Sequence, residues 1–351
     1  MMTRLSAALG VLSAVVAACN SPSEKVDEKD LHGVFDAAGA KGASSAAPVR
    51  SGRASASASA SVAPPVAHEP SDPACVRQNG EPSEVRHVIG RPACRGAEVL
   101  EWRDPSGAPR YACVFTPAET AKKSPLPVLV YFHGSSPGLD DPASFSKLTS
   151  LRSKMESFDL TGDPAHRGFV VLGVQGRAIG KARASEGASF DTAHVAPDNL
   201  DKVTTDHFLD VLSERGLVDD KRVYAFGMGK GAEMAATYAM LRADRVAAFF
   251  AYAPSPPPAS WQCPGPPPPA FVAYRACDTV TTCDAVETWL RSREGASAET
   301  RALRLGDDNR EEPNCTPKNK CGKKKGEAHH YRWPKGREKD LLQFFASHRM
   351  K

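Results

Sequence analysis

Short strand-like runs alternate with helix-like stretches from residue 111 onward, and that alternation leaves few folds open. The runs are YACVFT (111–116), PVLVYF (127–132), GFVVLGV (168–174), RVYAFG (222–227), VAAFFAY (246–252), AFVAYRA (270–276) and TRALRL (300–305). Most are apolar at successive rather than alternate positions, which suits strands covered on both faces. Between them, DPASFSKLTSLRSKM (141–155) reads as helical. The stretch 199–216 carries Leu200, Val203, His207, Phe208, Val211 and Leu212 at helical spacing and stops at Gly216. An Ala-rich helix follows at 231–243, another near 284–294, and a terminal one at 338–349. The pattern predicts an α/β, doubly wound, mostly parallel sheet in a single domain, with reactive groups on the loops leaving the strands' carboxyl ends.

Charge excludes one class of partner. With 45 Lys and Arg against 41 Asp and Glu, the net charge is +4, too mild and too mixed for a dedicated nucleic-acid binder. The amino end has a short basic start (Met1–Arg4) and an uncharged run over 5–18, too short for a stable bilayer span. It closes on Val16-Ala17-Ala18-Cys19, which resembles the lipobox of bacterial lipoproteins. That resemblance implies a signal peptide over 1–18, a lipidated Cys19 and an exported protein anchored to the bacterial cell envelope, on its periplasmic side or at the cell surface, with the membrane as partner. Residues 19–72 are rich in Ala, Ser and Pro, include ASASASAS (54–61), and are expected to be a disordered tether. Residues 73–351 are then the folded domain.

Of nine cysteines, Cys19 apart, an even set remains: Cys75, Cys94, Cys113, Cys263, Cys277, Cys283, Cys315 and Cys321. In an oxidising compartment they allow up to four disulfides. Short spacing favours 277 with 283 and 315 with 321. There is no C-x-x-C, and no histidines stand at metal-ligand spacing beside these cysteines, so neither a metal nor a cofactor is expected.

The most informative local pattern is Arg222-Val223-Tyr224-Ala225-Phe226-Gly227-Met228-Gly229-Lys230-Gly231-Ala232-Glu233-Met234: a strand, a glycine-punctuated sharp turn, then a closely packed helix. Such a turn, written G-x-S-x-G, is the nucleophile elbow of α/β hydrolases. Here Gly229 holds the central position. Over roughly residues 108–349 the chain resembles the polyhydroxybutyrate depolymerase and feruloyl esterase branch of the α/β-hydrolase superfamily. LPVLVYFHG, ending in His133-Gly134, is similar to that family's first core strand and oxyanion loop, with Ser135 following. The helix containing Asp206 precedes the elbow strand. Asp278 in YRACDTV looks like the family's acid loop, and GEAHHYRWP is similar to its histidine loop. That match puts the catalytic histidine at His329, or at His330 if the loop is offset by one. The family also carries a tryptophan-bearing substrate loop where this chain has 175–198, which contains no tryptophan.

The resemblance implies a carboxylic-ester hydrolase, and Gly229 contradicts it. Without a hydroxyl there, serine-esterase chemistry is excluded at that position. The expectation is a noncatalytic pseudo-hydrolase with a binding or scaffold role, its cleft open to an ester, aromatic or polymer ligand. The alternative is an ester hydrolase with a non-standard nucleophile, or one in which Asp278 and His329 activate water. Ser136 in GSSPG matches G-x-S-x-G literally but no helix follows it, and Lys230 beside the elbow reads as a solvent-facing lysine at the helix start, the alternative being a displaced nucleophile or an anion contact. His207 reads as a core-edge residue, Lys318, Lys320, Lys323, Lys324 and Lys325 as a solvated basic loop, and the Pro-rich 254–269 as an extended crossing.

Overall fold

The computed structural model describes residues 66–68, 81–118, 125–135, 140–179, 187–254, 267–316 and 322–351. Within the compact unit spanning 61–351, an eight-stranded sheet forms the centre. Its first two strands in sequence, β3 (Glu98–Arg103) and β4 (Pro109–Phe115), lie at one edge; β1 and β2 are short strands outside it. From that edge the order is β3-β4-β6-β5-β8-β9-β10-β11, with β5 at Leu126–Phe132, β6 at Val170–Val174 and β8 at Val218–Met228. The far side is built by β9 (Val246–Tyr252), β10 (Ala270–Arg275) and β11 (Thr300–Leu305). Pairing is antiparallel for β3 with β4 and β4 with β6, and parallel from β6 to β11.

Side chains of one strand alternate between two cores. Val128, Val130 and Phe132 of β5 face one apolar cluster, while Leu129 and Tyr131 face the other. Three helices cover the first cluster: α2 (Leu200–Glu214) through Phe208, Leu209 and Leu212, α3 (Lys230–Leu241) through Ala232, Ala235 and Tyr238, and α4 (Cys283–Gly295) through Val286, Trp289 and Leu290. The second is covered by Phe145, Leu151 and α6 (Glu338–Ala346), whose Phe345 stacks on Tyr224 at 4.6 Å. Each such fully buried side chain stabilises the fold by about 1.5–3 kcal/mol. Cover on both faces explains why the central strands read as unbroken apolar runs.

Some local expectations change. The helix expected over 141–155 is a 3-10 turn at Pro142–Lys147, capped by Asp141, followed by the single turn α1 (Thr149–Arg152). Leu148, at φ −80° and ψ 57°, breaks the helical path between them. In α2 the buried face includes Asp201, Thr204 and Thr205 rather than Leu200 and Val203, because Asp201 pairs with buried Arg177 at 2.7 Å. His207 is half-buried and stacks on Trp102 at 4.4 Å. The terminal helix stops at Ala346, and β12 (His348–Met350) pairs in parallel with β1 (Val66–His68), three residues of the expected tether. A second small pair joins β2 (Val85–His87) to β7 (Ala178–Ile179).

The favoured disulfides are not those formed. Cys283 bonds Cys315, and Cys94 bonds Cys113, so neither 277–283 nor 315–321 exists. Cys283 opens α4 and faces the loop after β11, whereas the six-residue spacing to Cys277 is spent on the turn that leaves β10. The Pro-rich 255–266, Ser136, Lys318 and Lys320 lie outside the described residues, as do residues 1–60 with Cys19. No described helix is long and apolar enough to cross a membrane.

Candidate functional site

The turn from β8 into α3 lies at the carboxyl edge of the parallel strands, and its three glycines serve different needs. A Cβ on Gly231 would lie 2.0 Å from the Phe132 carbonyl oxygen and 2.3 Å from that of His133, and one on Gly227 would lie 2.3 Å from the Gly231 oxygen. Those two glycines allow strand and helix to approach backbone to backbone. Gly229 has φ 55° and ψ −121°, a conformation side-chain-bearing residues rarely adopt, and its amide donates to the Tyr252 carbonyl at 2.9 Å. A Cβ there would meet only His330, with Nε2 at 3.1 Å and Cε1 at 3.8 Å.

Asp278 follows β10 and is fully buried. Its Oδ1 accepts the amides of Val280 and Thr281 at 2.8 and 3.0 Å, and its Oδ2 lies 2.9 Å from His330 Nδ1. With Nδ1–H donating to the carboxylate, Nε2 keeps its lone pair and faces Gly229. Among the described residues no serine, threonine or cysteine side chain lies in hydrogen-bond reach of that nitrogen.

The structure therefore brings together Gly229, Asp278 and His330, and sends His329 elsewhere. His329 Nδ1 lies 3.1 Å from Cys277 Sγ and 3.1 Å from Asp307 Oδ1. Burial holds its pKa below the ordinary histidine value, against the opposing pull of Asp307. The preference for His329 over His330 is corrected by the helix carrying both, α5 (Lys323–His330). Gly326 in that helix packs on Thr279, where a Cβ would lie 2.3 Å from its methyl group. Four residues on, His330 lies on the same face and reaches the acid loop.

A buried arginine holds this loop. Arg275, fully enclosed, donates to the Tyr252 hydroxyl (2.8 Å), the Gly306 carbonyl (2.7 Å), Asn309 Oδ1 (2.6 Å) and the Arg332 carbonyl (3.1 Å). Tyr252 Oη in turn lies 3.0 Å from the His329 carbonyl and 2.5 Å from that of Arg332. Burial pushes its phenol up to about 12. Sequence reasoning missed Arg275; the signal was a charged residue ending an otherwise apolar strand.

Of the expected oxyanion residues, Gly134 and Ser135 line the cleft and His133 does not. His133 is fully buried: its Nε2 accepts the Gly176 amide at 2.9 Å, so Nδ1–H donates to the Gly134 carbonyl at 2.6 Å. Burial lowers its pKa, the neutral form that both bonds require. It shapes the loop from behind. Lys230 is tied at 2.6 Å to Glu233 and at 2.5 Å to Thr192 Oγ1, as an anchored cation at the cleft wall. Asp206 accepts from Tyr238 and pairs with Lys202 and Arg242, a structural role.

The cleft encloses about 180 Å³ among the elbow, Ser135, Thr281 and His330. Val280 and Tyr331, two of the few exposed large apolar residues, stand in its lining. At the head of α3 the Ala232 and Glu233 amides donate to the Gly229 carbonyl, while those of Lys230 and Gly231 have no intrahelical acceptor and suit a partial negative charge. The arrangement thus offers an oriented imidazole, helix-head amides and an apolar rim. Among the described residues it places no attacking hydroxyl or thiol beside His330 Nε2.

No family model matches this sequence, and no curated protein matches it. Among solved structures the chain is similar to a thermostable esterase, with 13% identity and a TM-score of 0.51 over 73% of this chain; the alignment spans 64% of that esterase, less than two thirds of its length. An esterase from the archaeon Pyrobaculum calidifontis aligns at 16% identity and a TM-score of 0.44, over 64% of this chain and 77% of that one. Esterase 2 of Thermogutta terrifontis aligns at 14% and 0.45, over 64% and 86%. With the mixed, mostly parallel eight-stranded sheet, the first of these establishes an α/β-hydrolase fold; at such identities the likeness is one of fold alone.

Proposed function

We propose that this chain is an exported, lipid-anchored pseudo-hydrolase, of polyhydroxybutyrate depolymerase and feruloyl esterase type, that keeps its cleft for binding and has lost its nucleophile. The observation that carries the reading is Gly229, in a nucleophile-elbow conformation with His330 Nε2 3.1 Å from where a Cβ would stand. Loss of the serine in a serine protease lowers turnover by about 10⁶. The Asp278–His330 pair alone does not replace it. A cleft of about 180 Å³ is smaller than the roughly 300–1,000 Å³ of sites for drug-sized ligands. It suits a short ester or a single aromatic group more than a threaded polymer. The hydrophobic stretch ending in Val16-Ala17-Ala18-Cys19 supports export and lipidation.

A second reading rests on the geometry of the pair: His330, oriented by Asp278 at 2.9 Å, activates water directly in the space beside Gly229. One experiment separates the two. The full chain is mixed with a chromogenic short-chain ester and, separately, with a fluorophosphonate probe, alongside His330→Ala and Gly229→Ser. The pseudo-hydrolase forms no adduct, turns over ester no faster than His330→Ala, and gains labelling as Gly229→Ser. Turnover abolished by His330→Ala establishes the water mechanism, and an adduct on the native chain reveals another nucleophile; either result overturns the binding reading.

A further inference from the structure

Outside the lining of the cleft, a thiol, an imidazole and a carboxylate converge from three separate segments. Cys277 Sγ lies 3.1 Å from His329 Nδ1 and 3.3 Å from Asp307 Oδ1, and the latter two are 3.1 Å apart. Cys277 and His329 are buried, while Asp307 is exposed and leaves a path from solvent. A thiol sulfur, an imidazole nitrogen and a carboxylate oxygen, the three donor types that zinc takes, thus meet in one small triangle.

We propose that Cys277, His329 and Asp307 form a site for a divalent transition metal of zinc type. Tetrahedral zinc, at about 2.0–2.3 Å from sulfur, nitrogen and oxygen, separates its ligands by roughly 3.3–3.6 Å. The triangle has only to open by a few tenths of an ångström, and the side chain of exposed Asp307 is free to give. Thiolate, imidazole and carboxylate together are a donor set that favours zinc over magnesium or calcium. On binding, the Cys277 sulfur–hydrogen bond breaks, its electron pair goes to the metal and its proton to solvent; no redox change occurs. The other described cluster of this kind, Cys283, Glu287 and Cys315, has no thiolate to give because its cysteines are joined as a disulfide.

The location gives the site a use. Cys277 immediately precedes Asp278, and His329 immediately precedes His330. The metal therefore clips the acid loop to the histidine helix, one residue behind each member of the pair, and it acts as a positioning group that touches no ligand in the cleft. The inference is independent of whether the cleft binds or hydrolyses.

Cobalt(II) is the probe. Titrated into the purified full chain at neutral pH, it is expected to bind at one equivalent with a thiolate-to-cobalt charge-transfer band and the visible bands of tetrahedral cobalt. Cys277→Ser removes the charge-transfer band. Asp307→Asn, altered at an exposed position that leaves the core intact, weakens binding by more than about 100-fold, given that loss of an outer partner alone costs about 10–100-fold. The far-ultraviolet spectrum confirms that each variant is folded, and Asp307→Asn decides the matter if Cys277→Ser is not. Absence of stoichiometric binding, a charge-transfer band that survives Cys277→Ser, affinity unchanged in Asp307→Asn, or a peptide map placing Cys277 in a disulfide would each overturn the proposal.

Discussion

Gly229 and Gly231 are two residues apart in one turn, yet a methyl group added to each meets different physics. At Gly229 the cost is conformational: φ is 55° and the nearest atom is a side-chain nitrogen at 3.1 Å, so the imidazole can retreat. Strain of that kind costs about 1–3 kcal/mol. At Gly231 the new atom would sit 2.0 Å from one backbone oxygen and 2.3 Å from another, and neither can move without shifting β5. Urea unfolding is therefore expected to show Gly229→Ala folded but less stable by about 1–3 kcal/mol, and Gly231→Ala without a cooperative transition; equal stabilities would refute this assignment of roles. The glycines and Asp278 were legible in the sequence because their spacing is local to one turn or one strand end. The choice between His329 and His330 was not, since adjacent residues differ only in which side of α5 meets the acid loop, and that is set by Gly326 resting on Thr279. Cys277, Asp307 and His329 were invisible as a cluster because they are far apart in the chain and meet only when β10, β11 and α5 are in place.

Among the elements, those buried on both faces were the most readable. β9 falls where its apolar run places it, and β5 and β10 within a residue; β11, an edge strand with Leu303 and Leu305 buried and Arg301 and Ala302 exposed, also matches its run. β3, an edge strand with the sequence EVLEWR, and α5, a polar helix with one face in contact, carry too little apolar signal to be read. The disulfides were unreadable for a related reason: Cys283 and Cys315 are separated by 32 residues, and their approach follows from α4 packing beside β11. The bridge closes a long loop, so chain-entropy reasoning assigns it about 3–4 kcal/mol. The double variant Cys283→Ala/Cys315→Ala is expected to lose that much in denaturant unfolding while keeping its far-ultraviolet spectrum. A loss below about 1 kcal/mol would mean that the unfolded chain is already compact around this loop.

For the molecule as a whole, the fold concentrates its chemistry at one edge of the sheet, while the proposed attachment to a membrane lies at the opposite end of the sequence from α5 and its histidines. That separation makes anchoring and cleft function independently testable. One acyl chain gives only marginal, reversible membrane binding, of order 10⁴ M⁻¹, so a stable anchor requires more than one chain on Cys19. The full chain expressed with its own amino end is expected to partition into the detergent phase on cloud-point separation, and Cys19→Ala into the aqueous phase. Because Cys19 stands at the head of the Ala-, Ser- and Pro-rich stretch expected to be a tether, the variant is expected to unfold at the same denaturant concentration and retain whatever the cleft binds. A native chain found in the aqueous phase would remove the anchor and leave the pseudo-hydrolase reading intact. A Cys19→Ala chain still in the detergent phase would instead place the membrane affinity in the uncleaved hydrophobic stretch over residues 5–18, an uncleaved signal in place of lipid.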